Sequence, residues 1–112
     1  MKKIEAIVKS SRLEFVRKAI ARVCVEDPTF TEVTGLGRRQ AQTVRYRGAE
    51  YRIDVVPMAK LELIVPDEVA GRVVTAIFDA ARTGNKGDGR IFVLPVEEAI
   101  RIRTGERGEA AA

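Results

Sequence analysis

The segment TGNKGDGR, residues 83–90, combines three glycines, two cations and one carboxylate. Glycine tolerates positive φ and lets backbone N–H groups approach a bound group, and a row of such donors forms an anion site. Lys86 and Arg90 add positive charge, which favours phosphate as the anion. Asp88 is better suited to holding a ribose or amide donor, or to fixing the turn. Because the spacing is not that of a Walker loop, a tight turn before a strand remains the alternative.

A second cationic group is Arg101 and Arg103, within the run IRIR at 100–103. The period of a strand places both guanidinium groups on one face. Two neighbouring arginines repel each other unless an anion lies between them, and arginine binds phosphate oxygens in a bidentate manner. The run therefore indicates a second phosphate contact. A solvated strand face with carboxylate partners is the alternative.

The segment 37–52 carries five arginines, one carboxylate and both tyrosines of the protein. A connection of this length is uncommon inside a compact domain and is typical of a binding loop or lid. Basic residues interleaved with tyrosine also suit RNA, so a nucleic-acid-binding domain remains a remote alternative.

The elements that must position these groups follow from apolar periodicity. The pattern predicts strands at 3–9, 29–36, 60–65 and 91–94, with further extended chain at 100–104. Ser11 and Glu14 have the spacing of a capping box before a helix that ends at Cys24, a residue we expect to pack against the core. A second helix enters at Pro66-Asp67 and ends before Gly84, and one helical turn is predicted at 96–99.

This order predicts an α+β, ferredoxin-like βαββαβ sandwich, with an antiparallel sheet, two helices on one face and a long loop between the second and third strands. Apolar residues occur on both sides of the strands, as in Ile7 beside Val8 and Ile64 beside Val65. We therefore expect the second face of the sheet to be buried in an oligomer.

The composition of the chain limits the functions that it can have. A chain of 112 residues suits one domain, and the net charge of +4 favours an anionic partner. The absence of histidine and the single cysteine exclude most catalytic and zinc-binding constellations. Asp88 and Glu62 are the carboxylates expected near a phosphate, and no general base is evident, so a nucleotide hydrolase or transferase is disfavoured. Neither a signal peptide nor a membrane-spanning run is apparent, and we expect a cytoplasmic protein without a metal site.

Two long motifs, YRGAEY at 46–51 and TGNKGDGRIFV at 83–93, resemble the signatures of the PII nitrogen-regulatory signal proteins. The resemblance covers essentially the whole chain as one PII-like domain, 1–112. It includes MKKIEAI at 1–7, the strand at 31–33 leading into 35–38, and IRIRTGER at 100–107.

The resemblance implies a homotrimer of ferredoxin-like subunits in which ATP and ADP compete for clefts between neighbours. The family senses and regulates rather than catalyses. By resemblance, residues 37–55 form the T-loop, 82–90 the B-loop, 102–108 the C-loop from the adjacent subunit and 109–112 a flexible tail. The T-loop docks onto membrane transporters or nitrogen-assimilation enzymes, so neither nucleic acid nor membrane insertion is expected.

The resemblance also assigns residues. The phosphates of ATP, with Mg²⁺, or of ADP would contact Gly37, Arg38, Gly87, Asp88, Gly89 and Arg90, with Arg101 and Arg103 reaching across the interface. Adenine and ribose would lie against Ile7, Thr29, Gly35, Glu62 and Ile64. Tyr51 matches the tyrosine that many bacterial members have uridylylated. Docking onto a partner would involve Arg45, Tyr46, Arg47 and Tyr51.

Two positions depart from the family pattern. Arg39 stands where members that sense 2-oxoglutarate usually have a glutamine that helps to hold Mg²⁺, and a cation cannot ligate Mg²⁺. Met58 stands where a lysine usually pairs with a carboxylate of the oxo-acid, and a thioether supplies no charge. We expect weakened or lost 2-oxoglutarate binding, as in a divergent paralogue that regulates another transporter, such as a metal-efflux or bicarbonate system. Direct contact of Arg39 with a 2-oxoglutarate carboxylate is the alternative.

Overall fold

The structure is a computed structural model that describes residues 1–24, 26–36, 42–46, 49–53 and 55–111. For residues 34–36, 42–46, 49–53 and 55–56 the backbone alone is described. The elements are, in chain order, β1 (Lys2–Lys9), a 3₁₀ turn (Ser10–Arg12), α1 (Leu13–Val23), β2 (Thr29–Leu36), β3 (Gln42–Tyr46), β4 (Ala49–Ile53), β5 (Val55–Val65), α2 (Asp67–Ala81), β6 (Gly89–Pro95) and a second 3₁₀ turn (Gly108–Ala111).

Four strands form one sheet in the order β2-β5-β1-β6, and every neighbouring pair is antiparallel. β1 is thus central, between two strands from the second half of the chain. The register places Glu5 opposite both Glu62 and Phe92, and Val8 opposite Gly89. The ferredoxin-like fold predicted from the sequence is confirmed.

The core lies between one face of this sheet and both helices, and it is aliphatic. Strand alternation turns Ile4, Ala6 and Val8 inward, where they are at most 1% exposed. The helices contribute Val16 and Ile20 from α1 and Val73 and Ile77 from α2, all buried in the same cluster. The opposite face of the sheet is left uncovered by the described part of this chain.

The helices are joined at their ends by polar contacts. The guanidinium of Arg12 donates from Nε and Nη2 to the carbonyl oxygen of Ala80, at 2.9 and 2.7 Å. This contact satisfies a carbonyl of the last turn of α2, which has no partner within its own helix.

Cys24 ends α1, where its N–H donates to the carbonyl oxygen of Ile20, and it packs partly buried against the core as predicted.

The predicted capping box is wrong. Ser11 lies inside the 3₁₀ turn, and α1 is capped at Arg12 without a side-chain hydrogen bond. The tight turn follows from the end of β1, since the chain must reverse at once to bring α1 back over the sheet.

Two further elements differ from the sequence prediction. Within segment 37–55, β3 and β4 pair as an antiparallel hairpin that was not predicted. Near the C-terminus, residues 96–99 are not helical and 100–104 are not a strand. Residues 102–104 form a turn instead, with Gly105 at φ 73° and Ile100 bridged to Arg107. The N–H of Gly105 donates to the Arg101 carbonyl oxygen, which closes this reversal.

Candidate functional site

The glycine loop, residues 82–90, joins α2 to β6. Gly84, Gly87 and Gly89 adopt φ values of 84°, 87° and 106°, in the left-handed region that glycine tolerates. Gly89 is also fixed by contact, since a Cβ there would lie 1.7 Å from the carbonyl oxygen of Ile7. The loop exit is therefore pressed against the backbone of β1 and admits only glycine.

Asp88 organises the loop from inside. Its Oδ2 accepts the backbone N–H groups of Thr83 and Gly84 at 2.9 and 3.0 Å, and its Oδ1 accepts the Thr83 hydroxyl. The ammonium of Lys9 lies 3.2 Å from the same Oδ1. Of the roles open to Asp88, the structure thus favours fixing the turn. We call Lys9, Thr83, Gly84 and Asp88 the Asp88 cluster.

These contacts stabilise the ionised carboxylate. The hydrogen bonds from the hydroxyl and N–H of Thr83, with smaller contributions from Lys9 and Gly84, hold the pKa of Asp88 far below its ordinary value. Lys9 was not among the predicted site residues. Its proximity to the loop depends on the pairing of β1 with β6, which places Val8 opposite Gly89.

Three of the five residues predicted to contact adenine and ribose line a second feature, a cleft. Thr29, Glu62 and Ile64 line one cleft of about 490 Å³ together with Lys3, Glu26, Asp27 and Leu63. The Thr29 hydroxyl donates to the Glu62 carbonyl oxygen at 3.4 Å, which joins the start of β2 to β5. On β2, Gly35 pairs with Val56, away from this cleft.

The uncovered sheet face connects the cleft with the glycine loop. Ile7 lies opposite Lys60 on β5 and Arg90 on β6, so these side chains project from the face away from the core. Glu62 and Ile64 follow Lys60 with strand period and share this face. The predicted residues Ile7, Glu62, Ile64 and Arg90 are thus brought to one side of the sheet.

The same face carries a closed set of ion pairs that the sequence analysis missed. Lys3 lies 2.7 Å from Glu62 and 3.7 Å from Glu5, while Lys60 lies 3.2 Å from Glu5 and 3.4 Å from Glu62. We call these four residues the ion-pair ring. Hydrogen bonding to Lys3 lowers the pKa of Glu62, and hydrogen bonding to Glu62 raises that of Lys3. The alternating charges in 3–5 and 60–62 were the available signal.

The prediction that Arg101 and Arg103 share a strand face is wrong, because Arg101 precedes the turn at 102–104 and Arg103 lies within it. The guanidinium of Arg101 donates to the carbonyl oxygen of Ala110 at 3.1 Å, within its own C-terminal segment. Both arginines are exposed, and Ile102 between them is fully exposed. The turn thus presents an apolar side chain between two cations.

Several predicted residues fall outside this description. The described residues do not include Gly37, Arg38, Arg39 or Arg47. For Arg45, Tyr46 and Tyr51, the backbone is described but the side chains are not. The backbone register pairs Arg45 with Glu50 and Val44 with Tyr51. Met58 is 8% exposed and lies opposite Lys9 on β1 and Val33 on β2.

Two features are absent from the described residues. No group of three or more His, Cys, Asp or Glu side chains there could hold a metal ion. Among the described helices, none is long and apolar enough to cross a membrane.

Comparison with known proteins identifies the family. The sequence profile of "Nitrogen regulatory protein P-II" matches residues 1–106. This chain belongs to the nitrogen regulatory protein P-II family.

Individual P-II proteins match it over nearly their full length. The chain is 50% identical to nitrogen regulatory protein P-II of Haemophilus influenzae over 99% of both chains. It is 51% identical to the Rhodospirillum rubrum protein over 96% of both, and 50% identical to P-II 1 of Escherichia coli K12 over 99% of both. These relatives are named as regulatory proteins.

The fold agrees with a solved P-II structure. The crystal structure of Arabidopsis thaliana PII bound to citrate superposes with a TM-score of 0.79 at 37% identity, covering 99% of this chain and 91% of that one. Sequence similarity therefore establishes the family, and the structural match agrees on the fold.

Proposed function

We propose that this P-II protein is a non-catalytic, homotrimeric sensor that binds ATP or ADP at clefts between subunits and regulates a partner through residues 37–55. The partner class that fits the family's name is a transporter or enzyme of nitrogen metabolism. The observation that carries the proposal is the glycine loop, which has three left-handed glycines and a carboxylate directed into the loop.

The loop suits a phosphate chain because its one carboxylate is already satisfied. Asp88 accepts hydrogen bonds from the first two residues of the segment 83–90, so its negative charge is directed into the loop. The N–H groups near Gly87 and Gly89, together with Lys86 and Arg90, then supply donors and positive charge for an anion. ATP, alone or with Mg²⁺, and ADP are ligands of this chemistry.

The cleft beside Glu62 suits the nucleoside end. It combines the apolar wall of Leu63 and Ile64 with three carboxylates, at Glu26, Asp27 and Glu62. Carboxylates accept hydrogen bonds from ribose hydroxyl groups and from an exocyclic amine. The cleft thus offers groups complementary to the nucleoside end, as the glycine loop does to the phosphates.

Assembly with other copies is supported by apolar surface. On β6, Phe92 is 43% and Leu94 is 42% exposed, and both project from the uncovered face. The exposed turn at 102–104 offers Ile102 with Arg101 and Arg103 to a neighbouring copy. In a homotrimer, these arginines would supply the cross-subunit phosphate contacts that the family resemblance assigns to them.

Regulation would pass through the segment that contains β3 and β4. Arg45, Tyr46, Arg47 and Tyr51 are the residues proposed to meet the partner, and Tyr51 is proposed as a site of uridylylation. Whole-protein mass of material from native cells checks the modification, since uridylylation adds one UMP to each subunit and its removal by Tyr51→Phe identifies the residue.

The response to oxo-acids is proposed to be weak. Met58 places a buried thioether at its position on β5, and Arg39 places a cation where Mg²⁺ would need an oxygen ligand. The protein would then read the ratio of ATP to ADP as a divergent paralogue, whose partner could be a metal-efflux or bicarbonate system. Arg39→Gln combined with Met58→Lys is expected to increase 2-oxoglutarate affinity.

The deciding experiment is calorimetry with ATP, with ADP, and then with 2-oxoglutarate added to the ATP-Mg²⁺ complex. Binding of both nucleotides, with sedimentation as a trimer, supports the proposal. Absence of nucleotide binding contradicts it, and binding of 2-oxoglutarate contradicts only the weak oxo-acid response. Citrate serves as a control carboxylate, because it accompanies the Arabidopsis protein.

Two rival functions make different predictions. Steady phosphate release from ATP by the purified trimer would indicate a hydrolase. RNA binding that survives Arg101→Ala with Arg103→Ala would indicate a nucleic-acid-binding domain, because those substitutions are expected to damage the nucleotide site alone.

A further inference from the structure

Lys9, the last residue of β1, belongs to none of the predicted ligand contacts, yet it reaches the glycine loop. Its ammonium lies 3.2 Å from Asp88 Oδ1 and 3.4 Å from the Thr83 hydroxyl oxygen. The Lys9 side chain is 18% exposed and that of Asp88 is 23% exposed, so the pair is shielded more than an ordinary surface ion pair. The contact crosses from the sheet to a loop more than seventy residues later in the chain.

The shape of the loop does not rest on Lys9 alone. The carboxylate of Asp88 keeps both backbone N–H bonds and the Thr83 hydroxyl without it. The N–H of Asn85 donates to the Thr83 hydroxyl oxygen at 3.2 Å, a further contact within the loop. Those donors are neutral, whereas Lys9 brings a full positive charge. Its distinct contribution is therefore charge rather than geometry.

That charge matters because Asp88 lies between Gly87 and Gly89, whose N–H groups belong to the proposed phosphate site. An uncompensated carboxylate there would repel a phosphate chain. By Coulomb's law, the repulsion grows with each negative charge on the ligand and weakens as salt screens it. A more highly charged nucleotide would accordingly lose more binding affinity.

We propose that Lys9 is a specificity-determining residue, which neutralises Asp88 and thereby favours nucleotides with longer, more highly charged phosphate chains, ATP above ADP and ADP above AMP. This inference rests on the proposed binding of nucleotides at the glycine loop. It adds a residue outside the predicted ligand contacts, which acts by cancelling the charge of Asp88.

The test compares wild type and Lys9→Met by calorimetry with ATP, ADP and AMP, in EDTA and about 50 mM salt. Lys9→Met is expected to weaken ATP binding about tenfold, ADP binding about fourfold and AMP binding less than twofold. The losses shrink in about 0.5 M salt. Mg²⁺ also reduces the loss for ATP, because it cancels two of the ligand's charges.

Two control variants separate charge at this position from net charge and from packing. Lys18→Met removes the same charge from an exposed site on α1 and should leave all three affinities within about twofold of wild type. Lys9→Arg keeps a cation and should preserve the ATP preference. Lys9→Gln, which is shorter and polar, replaces Lys9→Met if melting shows that the latter is poorly folded.

The double variant Lys9→Met with Asp88→Asn tests the route through Asp88. In the double variant the pair carries no net charge, as in wild type, so the ratio of ATP to AMP affinity should return to within about twofold of the wild-type ratio. A ratio that stays as low as in Lys9→Met would contradict the inference, as would equal losses of affinity for the three nucleotides in Lys9→Met. If wild type binds nucleotides and Lys9→Met binds them equally well, the inference alone fails. Absence of binding by wild type contradicts the proposed function itself.

Discussion

Two carboxylates near the proposed nucleotide site, Asp88 and Glu62, are held in different ways. Asp88 is bound chiefly by backbone and hydroxyl donors of its own loop, and the Lys9 ammonium forms an additional ion pair with it. Glu62 is bound by the ammonium groups of Lys3 and Lys60 across the sheet face. Long lysine side chains exchange partners easily, whereas backbone donors are fixed. Asp88 is thus committed to structure, and Glu62 remains available to a ligand.

The largest effect is expected at the loop exit, where the backbone itself is constrained. Gly89→Ala places a Cβ against the Ile7 carbonyl oxygen and requires φ of 106°, so it should lower the free energy of unfolding by about 3 kcal/mol or more. Chemical denaturation measures this. Gly84→Ala is the matched control, since its φ is 84° but nothing lies within 4 Å of the new Cβ, and about 1 kcal/mol is expected. Equal effects would mean that the contact with β1 is unimportant.

The second-largest effect is expected from removal of the Asp88 carboxylate. Asp88→Ala leaves the N–H groups of Thr83 and Gly84 without their acceptor, so the loop loses its fixed shape, and ATP affinity should fall by about thirtyfold. Calorimetry measures the affinity, and amide hydrogen exchange at Thr83 and Gly84 reports the loss of protection. Unchanged protection would show that the hydrogen bonds do not order the loop.

A smaller effect is expected at Glu62, because its partners are side chains. Glu62→Gln keeps the backbone carbonyl that accepts from Thr29 but removes charge from the cleft, and ATP affinity should fall by about fivefold. The melting temperature should change by no more than about 2 °C, because exposed ion pairs contribute little to stability. A larger change in melting temperature would mean that Glu62, like Asp88, has a structural role.

The smallest effect concerns pH. The pKa of Asp88 is lowered in the folded state, so its contribution to stability is complete above the unfolded pKa of about 3.9 and is lost as pH falls towards the folded value. The stability difference between wild type and Asp88→Asn should therefore be constant from pH 5 to pH 7 and shrink below pH 4. A constant difference down to pH 3 would contradict the lowered pKa.

The strands and helices were largely predictable because each carries a regular apolar period. Alternation in β1 and in the second half of β5 identified both as strands, and the glycines of the loop indicated where positive φ could occur. The hairpin of β3 and β4 was missed although its signal was present. Two runs with β-branched and aromatic residues flank Arg47-Gly48, a pattern typical of hairpins.

The contacts that could not be predicted depend on register or on a local turn. Lys9 reaches Thr83 across 74 residues, a proximity that exists only once β1 and β6 pair with Val8 opposite Gly89. Arg101 and Arg103 were assigned to a strand because IRIR alternates. The turn at 102–104 and the left-handed Gly105 override that alternation, since local hydrogen bonds close the chain on itself.

The central position of β1 has a consequence for the order of folding. Both neighbours of β1 come from residues 55–95, so β1 has no partner until β5 has been synthesised. Contacts so distant in sequence slow folding, because loop closure must precede the gain from pairing. We therefore expect refolding in milliseconds to seconds. The glycine loop should become ordered in the last step, when β6 adds to the edge of β1 and Lys9 meets Asp88.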